Sequence, residues 1–147
     1  MKIVYIDMDD VIVNYSKAWD AEKELNPLVR YPQSRWGFFA NLEPIEGAID
    51  ACFALLGSKE YDPYILTAPS VYNALCYTEK RVSVAKYLGI QYVERLIICP
   101  HKNLCRGDYL IDDNITGKGQ DKFEGELMHF GSNEYPTWAE VRKRLNV

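Results

Sequence analysis

The chain passes abruptly from apolar to acidic near its start: Ile3-Val4-Tyr5-Ile6 leads straight into Asp7-Met8-Asp9-Asp10, and apolar residues resume at Val11-Ile12-Val13. A β-branched run of this length, bounded by charge, suits a central parallel strand buried on both faces, with helices laid over the sheet. Side chains two apart share one side of a strand, so Asp7 and Asp9 converge at its carboxyl end while Met8 turns away. Two carboxylates so close repel, and the repulsion is relieved by a hard divalent cation, most often Mg²⁺, or by a proton held on one of them. Aspartates also serve as ordinary turn residues at strand ends. The rest of the chain decides between a turn and a reaction centre.

Downstream the pattern alternates. A helix is predicted over 16–25, stopped by Asn26-Pro27. An irregular stretch over 26–41 carries Tyr31, Trp36, Phe38 and Phe39 and reads as a small inserted cap. Ile49, Cys52, Phe53 and Leu56 give a helical stripe over 47–56, closed by Gly57. Tyr64-Ile65-Leu66-Thr67 is a short strand with Thr67 at its carboxyl end, and Ala68-Pro69-Ser70 a loop. The helical pattern over 73–88 sets Val82, Ala85 and Leu88 on one face and leaves Lys80 facing solvent. Leu96-Ile97-Ile98-Cys99 is a strand stopped by Pro100, with Lys102 in the loop beyond. Tyr109-Leu110-Ile111 is another strand, running into Asp112-Asp113. Residues 117–120 read as an exposed turn and 126–130 as a last strand. A capping box, Thr137 to Glu140, opens a final helix whose end carries Arg142, Lys143 and Arg144.

Strands alternating with helices predict an α/β fold with a doubly wound, mainly parallel, Rossmann-like sheet, its first strand central between those ending at Thr67 and Asp112. At 147 residues the chain has room for one domain, 1–147, with a small cap insertion at about 15–43. The net charge of −4 disfavours a nucleic-acid polymer as partner. Cys52, Cys76, Cys99 and Cys105 form no C-x-x-C pair and sit in apolar or helical patterns, as free thiols of a reducing cytoplasm do. No stretch approaches the ~18 apolar residues of a membrane span, and none resembles a signal segment. A soluble cytoplasmic protein, monomeric or a homodimer and free of membrane, is the expectation.

Ligands of open α/β sheets bind beyond the carboxyl ends of the strands. Here three strands end in Asp7 and Asp9, in Thr67, and in Asp112 and Asp113, with Lys102 in a loop at the same edge. Such a set is far less prone to coincidence than any one member. It resembles the haloacid dehalogenase superfamily of phosphotransferases, whose pattern is D-x-D, then Thr or Ser, then Lys, then paired acids. Within that superfamily the chain is similar to the 5′(3′)-deoxyribonucleotidase family, cytosolic type C, through Asp7-Met8-Asp9, the stretch Phe38-Phe39-Ala40-Asn41-Leu42-Glu43-Pro44-Ile45-Glu46-Gly47-Ala48, Glu79-Lys80, Lys86-Tyr87-Leu88-Gly89 and Leu110-Ile111-Asp112-Asp113.

The resemblance implies a Mg²⁺-dependent phosphomonoesterase. Asp7 is then the nucleophile, forming an aspartyl-phosphate, and Asp9 the general acid and base. Asp7, the backbone carbonyl of Asp9 and Asp112 hold the metal, with Asp113 binding directly or through water. Thr67 and Lys102 bind and neutralise the transferring group. Tyr15, Trp36, Phe38 and Phe39 are candidate base-stacking residues beside Ala68, and the same aromatics are equally suited to cap core. The expected substrate is a (deoxy)nucleoside monophosphate. A phosphatase of another small metabolite and a non-catalytic binding protein on the same fold are the alternatives. A receiver-like signalling domain fails on order, since its acidic pair comes first and its phosphoacceptor stands alone. Three departures stand out: Asp10 replaces the family's usual Gly, Ala68 its usual Ser, and Pro100-His101 the usual Arg-Asp before the Lys.

Overall fold

A computed structural model describes all 147 residues. In chain order the main elements are β1 (Lys2–Ile6), α1 (Tyr15–Leu25), α2 (Ala48–Gly57), β2 (Tyr61–Thr67), α3 (Ala74–Leu88), α4 (Ile90–Val93), β3 (Leu96–Ile98), β4 (Tyr109–Asp112), β5 (Glu126–His129) and α5 (Trp138–Leu145). The five strands pair parallel throughout in the order β3-β2-β1-β4-β5. The β1 strand is central, as its apolar run requires. The chain builds outward to β3 on one side, then returns to lay β4 and β5 on the other. The gap between β1 and β4 is therefore the switch point where ligands of such sheets bind. Register brings the strand ends level there: Ile6 lies opposite both Ile65 and Ile111, and Asp7 N donates to the Ile111 carbonyl at 2.9 Å.

The pleat divides the sheet into two unequal faces. Val4, Ile6, Ile65, Tyr109, Ile111 and Met128 enter a large core completed by α2, α3 and α5. Tyr5, Leu66 and Leu110 point the other way into a small cluster closed by Phe123, with Cys99 and Cys105 packed against it and no α-helix contributing. That second face is covered by segments around the short 3-10 turns Lys102–Leu104 and Gln120–Lys122.

Two predicted helix faces are corrected. In α2 the buried residues are Ala48, Ala51, Cys52 and Leu55, and Phe53 stays 40 % exposed, so the stripe is turned by one position from the one expected. In α3 Val82 and Ala85 face solvent, and the inward stripe is Cys76, Glu79, Lys80, Ser83, Val84 and Leu88. Polar residues occupy the middle of the buried face and interrupt its apolar periodicity. The last helix begins as expected: the Thr137 side chain accepts from Ala139 N, and Glu140 accepts from Thr137 N.

Between α1 and α2 the cap runs through 3-10 turns at Pro32–Ser34 and Phe39–Asn41. It is tied down by Glu79 of α3, whose carboxylate accepts from Gly37 N at 2.7 Å and from Phe39 N at 3.0 Å. No helix of the structure is long and apolar enough to cross a membrane.

Candidate active site

Beyond β1 the backbone folds back sharply, with the amides of Ile12 and Val13 both donating to the Met8 carbonyl. Met8 is 1 % exposed, so the alternation places it in the core while Asp7 and Asp9 turn to the sheet edge. Asp10 takes the tight position with φ +56°, a left-handed conformation that Asp tolerates better than most residues. Its carboxylate accepts from Ser16 N at 2.8 Å and from the Ser16 hydroxyl, so it terminates the first turn of α1. Asp10 thus accepts the geometry that Gly would otherwise serve and adds a helix cap.

The acidic residues sort into two ion-pair clusters. In the first, Lys102 Nζ lies 2.7 Å from Asp7 Oδ1 and 2.5 Å from Asp112 Oδ2. Asp112 Oδ1 accepts from Asn114 N, and Gln120 Nε2 stands 3.4 Å from both Asp112 oxygens. Asp7, Lys102, Asp112 and Gln120 are all buried. In the second, Lys80 Nζ is 2.7 Å from Asp9 Oδ2 and 2.8 Å from Thr67 Oγ1, beneath the Phe39 ring at 5.2 Å. An ammonium has only donors, so Thr67 accepts from Lys80 and keeps its own hydroxyl proton for another partner.

Burial governs the protonation of these groups. It raises the Asp9 carboxyl above its ordinary value, with Lys80 opposing and Asp7 adding to the shift. Asp112 is raised by burial and by Asp7 against the pull of Lys102. Asp113 is pushed up to about 7 by burial and then by Asp7 and Asp112. For Lys102, burial works against the charge, but the flanking Asp7 and Asp112 outweigh it and hold the ammonium above its ordinary value. The cluster is therefore short of positive charge.

The residues fit a hard cation. Carboxylate oxygens of Asp7, Asp112 and Asp113 lie within 4.8 Å of one another. Asp113 Oδ1 is buried without a hydrogen-bond partner, and the Asp9 carbonyl receives no protein donor. An oxygen-only donor set of this charge suits Mg²⁺. The Asp9 carboxylate stands apart from that trio, engaged by Lys80.

The sequence from residue 18 to 143 matches the model of the 5′ nucleotidase, deoxy (pyrimidine), cytosolic type C protein family. The chain belongs to this family of phosphoric monoester hydrolases. A Vibrio phage KVP40 protein named as a 5′(3′)-deoxyribonucleotidase is 42 % identical over 142 residues, 95 % of this chain and 81 % of that protein. The human cytosolic-type 5′(3′)-deoxyribonucleotidase is 41 % identical over 112 residues, which span 74 % of this chain and 56 % of the human one. Among solved structures, the HAD-hydrolase YfnB of Bacillus subtilis, crystallised bound to magnesium, superposes with a TM-score of 0.65 over 99 % of both chains at 14 % identity, a likeness of fold.

A cavity of about 420 Å³ opens over the clusters, within the ~300–1,000 Å³ common for small-molecule sites. Asp7, Asp9, Lys102 and Asp113 line its floor together with Ala68, and Tyr15 and Phe39 line it from the side of α1 and the cap. The candidate aromatics part company in space. Phe38 packs edge-on against Tyr15 and Phe39 as cap core, and Trp36 is 78 % exposed and outside the lining. Thr67 lies buried just behind the lining, held by Lys80.

Other residues at the site escaped the sequence reading. Lys80, expected in solvent, is fully buried, because α3 turns its Cys76-Lys80-Val84-Leu88 row inward. The i, i+4 spacing of that row is the sequence signal for its burial, and the lysine's charge disguises it. Gln120, expected in an exposed turn, is 3 % exposed beside Asp112. Its Oε1 accepts from Lys118 N, and the Lys118 carbonyl accepts from Lys102 N at 2.7 Å, so this loop sets the position of Lys102. Gln33 of the cap also lines the cavity.

Proposed function

We propose that the chain is a Mg²⁺-dependent phosphomonoesterase acting on (deoxy)nucleoside monophosphates through an aspartyl-phosphate on Asp7. The observation that carries this reading is the separation of Asp7 and Asp9 into different ion pairs at one cavity floor. Asp7 lies 2.7 Å from the Lys102 ammonium, placed as a nucleophile, and Asp9 has its proton affinity raised by burial, as a general acid requires.

An Asp7 oxygen attacks phosphorus, and the bond from phosphorus to the leaving oxygen breaks as Asp9 passes its proton to that oxygen. Asp9, now ionised, takes a proton from water, whose oxygen attacks the phosphorus of the phosphoenzyme. Inorganic phosphate leaves and Asp7 is restored. Thr67 donates its hydroxyl proton to a phosphoryl oxygen, Lys80 holds both Thr67 and Asp9 in place, and Lys102 offsets charge beside Asp7. Asp7, Asp112, Asp113 and the Asp9 carbonyl would hold Mg²⁺, which supplies neutralisation of the phosphoryl charge. The whole chain, 1–147, acts as one cytoplasmic domain whose cap at about 15–43 selects the leaving group.

The family match and the names of the relatives support a nucleotide over other phosphomonoesters. The test is a hydrolysis panel with Mg²⁺: 5′- and 3′-monophosphates of ribo- and deoxyribonucleosides beside sugar phosphates. Nucleotides should be turned over with the higher kcat/KM. Faster turnover of a sugar phosphate would move the chain to the metabolite-phosphatase reading.

A further inference from the structure

Cys99 and Cys105 bracket the segment that carries Lys102, and neither takes part in the chemistry proposed above. Both are half-buried on the sheet face that no helix covers, packed against Tyr5, Leu66, Leu110 and Phe123. The Cys105 thiol lies within hydrogen-bonding reach of the Cys99 sulfur, and Cys99 Sγ also accepts from His101 N at 3.4 Å. Cys52 and Cys76 are shut away in the large core on the other face.

Both flanks of the segment are tied to the sheet. Cys99 N donates to the Thr67 carbonyl at 2.9 Å, continuing the line of β3. Past Cys105, the Arg106 carbonyl accepts from the Tyr5 hydroxyl and Asp108 N donates to the Ile3 carbonyl, each at 3.0 Å. Two sulfurs in hydrogen-bonding contact must close to ~2.05 Å to bond. With its ends fixed, the segment takes up that shortening between them, and Lys102 stands at its middle. The Lys102 ammonium spans Asp7 at 2.7 Å and Asp112 at 2.5 Å, which leaves it little slack.

We propose that Cys99 and Cys105 are a modification site, which a hydroperoxide oxidises to a reversible disulfide that draws Lys102 off Asp7 and Asp112 and lowers turnover. Burial raises the Cys105 thiol above its ordinary value, and Cys99 adds to the shift, so Cys105 keeps its proton and Cys99 reacts first. The Cys99 sulfur attacks a peroxide oxygen and the O–O bond breaks, giving a sulfenic acid and water. The Cys105 sulfur then attacks the Cys99 sulfur, the S–O bond breaks, and the hydroxyl leaves as water with the Cys105 proton. Two thiols lose two electrons and the peroxide gains them. A thiol reductant reverses the bond by exchange. Formation of the bond is independent of the phosphatase reading; its effect on turnover rests on that reading.

The experiment treats reduced wild type, Cys99→Ser, Cys105→Ser and Cys105→Ala with hydrogen peroxide, then with dithiothreitol. Hydrolysis of p-nitrophenyl phosphate with Mg²⁺, peptide mass mapping and a thermal melt are read at each stage. Peroxide should link the wild-type peptides that hold Cys99 and Cys105, with the loss of two hydrogens, and lower kcat/KM by about tenfold or more, and dithiothreitol should restore both. The three variants should form no link and keep kcat/KM within about twofold throughout.

A wild type in which the two peptides stay unlinked, or link with kcat/KM unchanged, overturns the inference and leaves the phosphatase reading standing. An equal loss in the variants overturns it too, since the damage then lies elsewhere. Should both Cys105 variants melt below the assay temperature, Cys99→Ser decides. A reduced wild type inert toward every phosphomonoester overturns the phosphatase reading and the effect on turnover with it, and the peptide map alone then decides whether the bond forms.

Discussion

Asp9 and Lys80 lie 71 residues apart in sequence and 2.7 Å apart in space, and that contact joins the end of β1 to the middle of α3. It holds the proposed acid and base against the cavity wall and orients Thr67 through the same ammonium. Lys80→Met keeps the stem and removes the charge. Breaking a buried pair on one side should cost about 3 kcal/mol, read in the urea midpoint. Without Lys80 to oppose burial, the Asp9 proton affinity should rise further, so the pH–rate profile should move toward higher pH. An unmoved profile would reduce Lys80 to a packing residue.

Asp7→Asn keeps volume and removes the attacking charge. Turnover should fall by roughly 10³-fold or more while the fold survives, since Lys102 retains Asp112 as partner. Activity near wild type would take Asp7 out of the mechanism.

Burial, with Asp7 and Asp112 nearby, pushes the Asp113 carboxyl from an ordinary value of 3.8 up to about 7. The folded state then binds the proton more tightly than the unfolded state, so the contribution of this group to stability falls as pH rises between those values. Asp9 and Asp112 are shifted in the same direction. Metal-free protein should gain less from Mg²⁺ at about pH 5 than at about pH 8, because the ion must displace protons at the lower pH. Differential scanning calorimetry at both values, with Mg²⁺ and with chelator, measures this. Equal thermal shifts at both would contradict it.

Asp10 combines a left-handed backbone with a cap on α1. Asp10→Ala loses the cap and leaves a Cβ in the strained region, and should cost about 1–2 kcal/mol. Asp10→Gly loses the cap but relieves the backbone, so it should lie between alanine and wild type. Urea unfolding of the three proteins orders them.

Trp36 and Phe39 were equivalent candidates in the sequence and are not equivalent in space. Trp36→Ala should leave nucleotide kcat/KM within about twofold. Phe39→Ala empties a buried cap position and should destabilise by roughly 3–5 kcal/mol, along with lowering activity. Paired melts and kinetics separate the two.

The central strand, its two neighbouring strands and the approach of Asp7, Asp112 and Asp113 to one another were legible because apolar runs ending in carboxylates mark parallel strands and the sheet edge where ligands bind, whereas the places of the outer strands were not. Lys80 and Glu79 were not legible as inward residues. A buried lysine is tolerated only with its partners in place, and those partners come from β1 and β2, far along the chain. The roles of Phe38 and Trp36 were hidden for a related reason: an aromatic residue in an irregular segment carries no period, so nothing local tells which ring meets the core. Gln33 gave no local signal either, since its place at the cavity wall depends on Trp19 across a turn.

The sheet's second face, roofed by the Lys102 and Gln120 segments with no helix over it, ties catalysis to colloidal behaviour. The loops that aim the lysine also keep Tyr5, Leu66 and Leu110 out of water. A chain in which those loops come loose should show a bare apolar sheet to its neighbours and aggregate. Soluble yield should then report whether those loops are in place in a variant, while a substitution such as Asp7→Asn, which leaves them untouched, stays in solution.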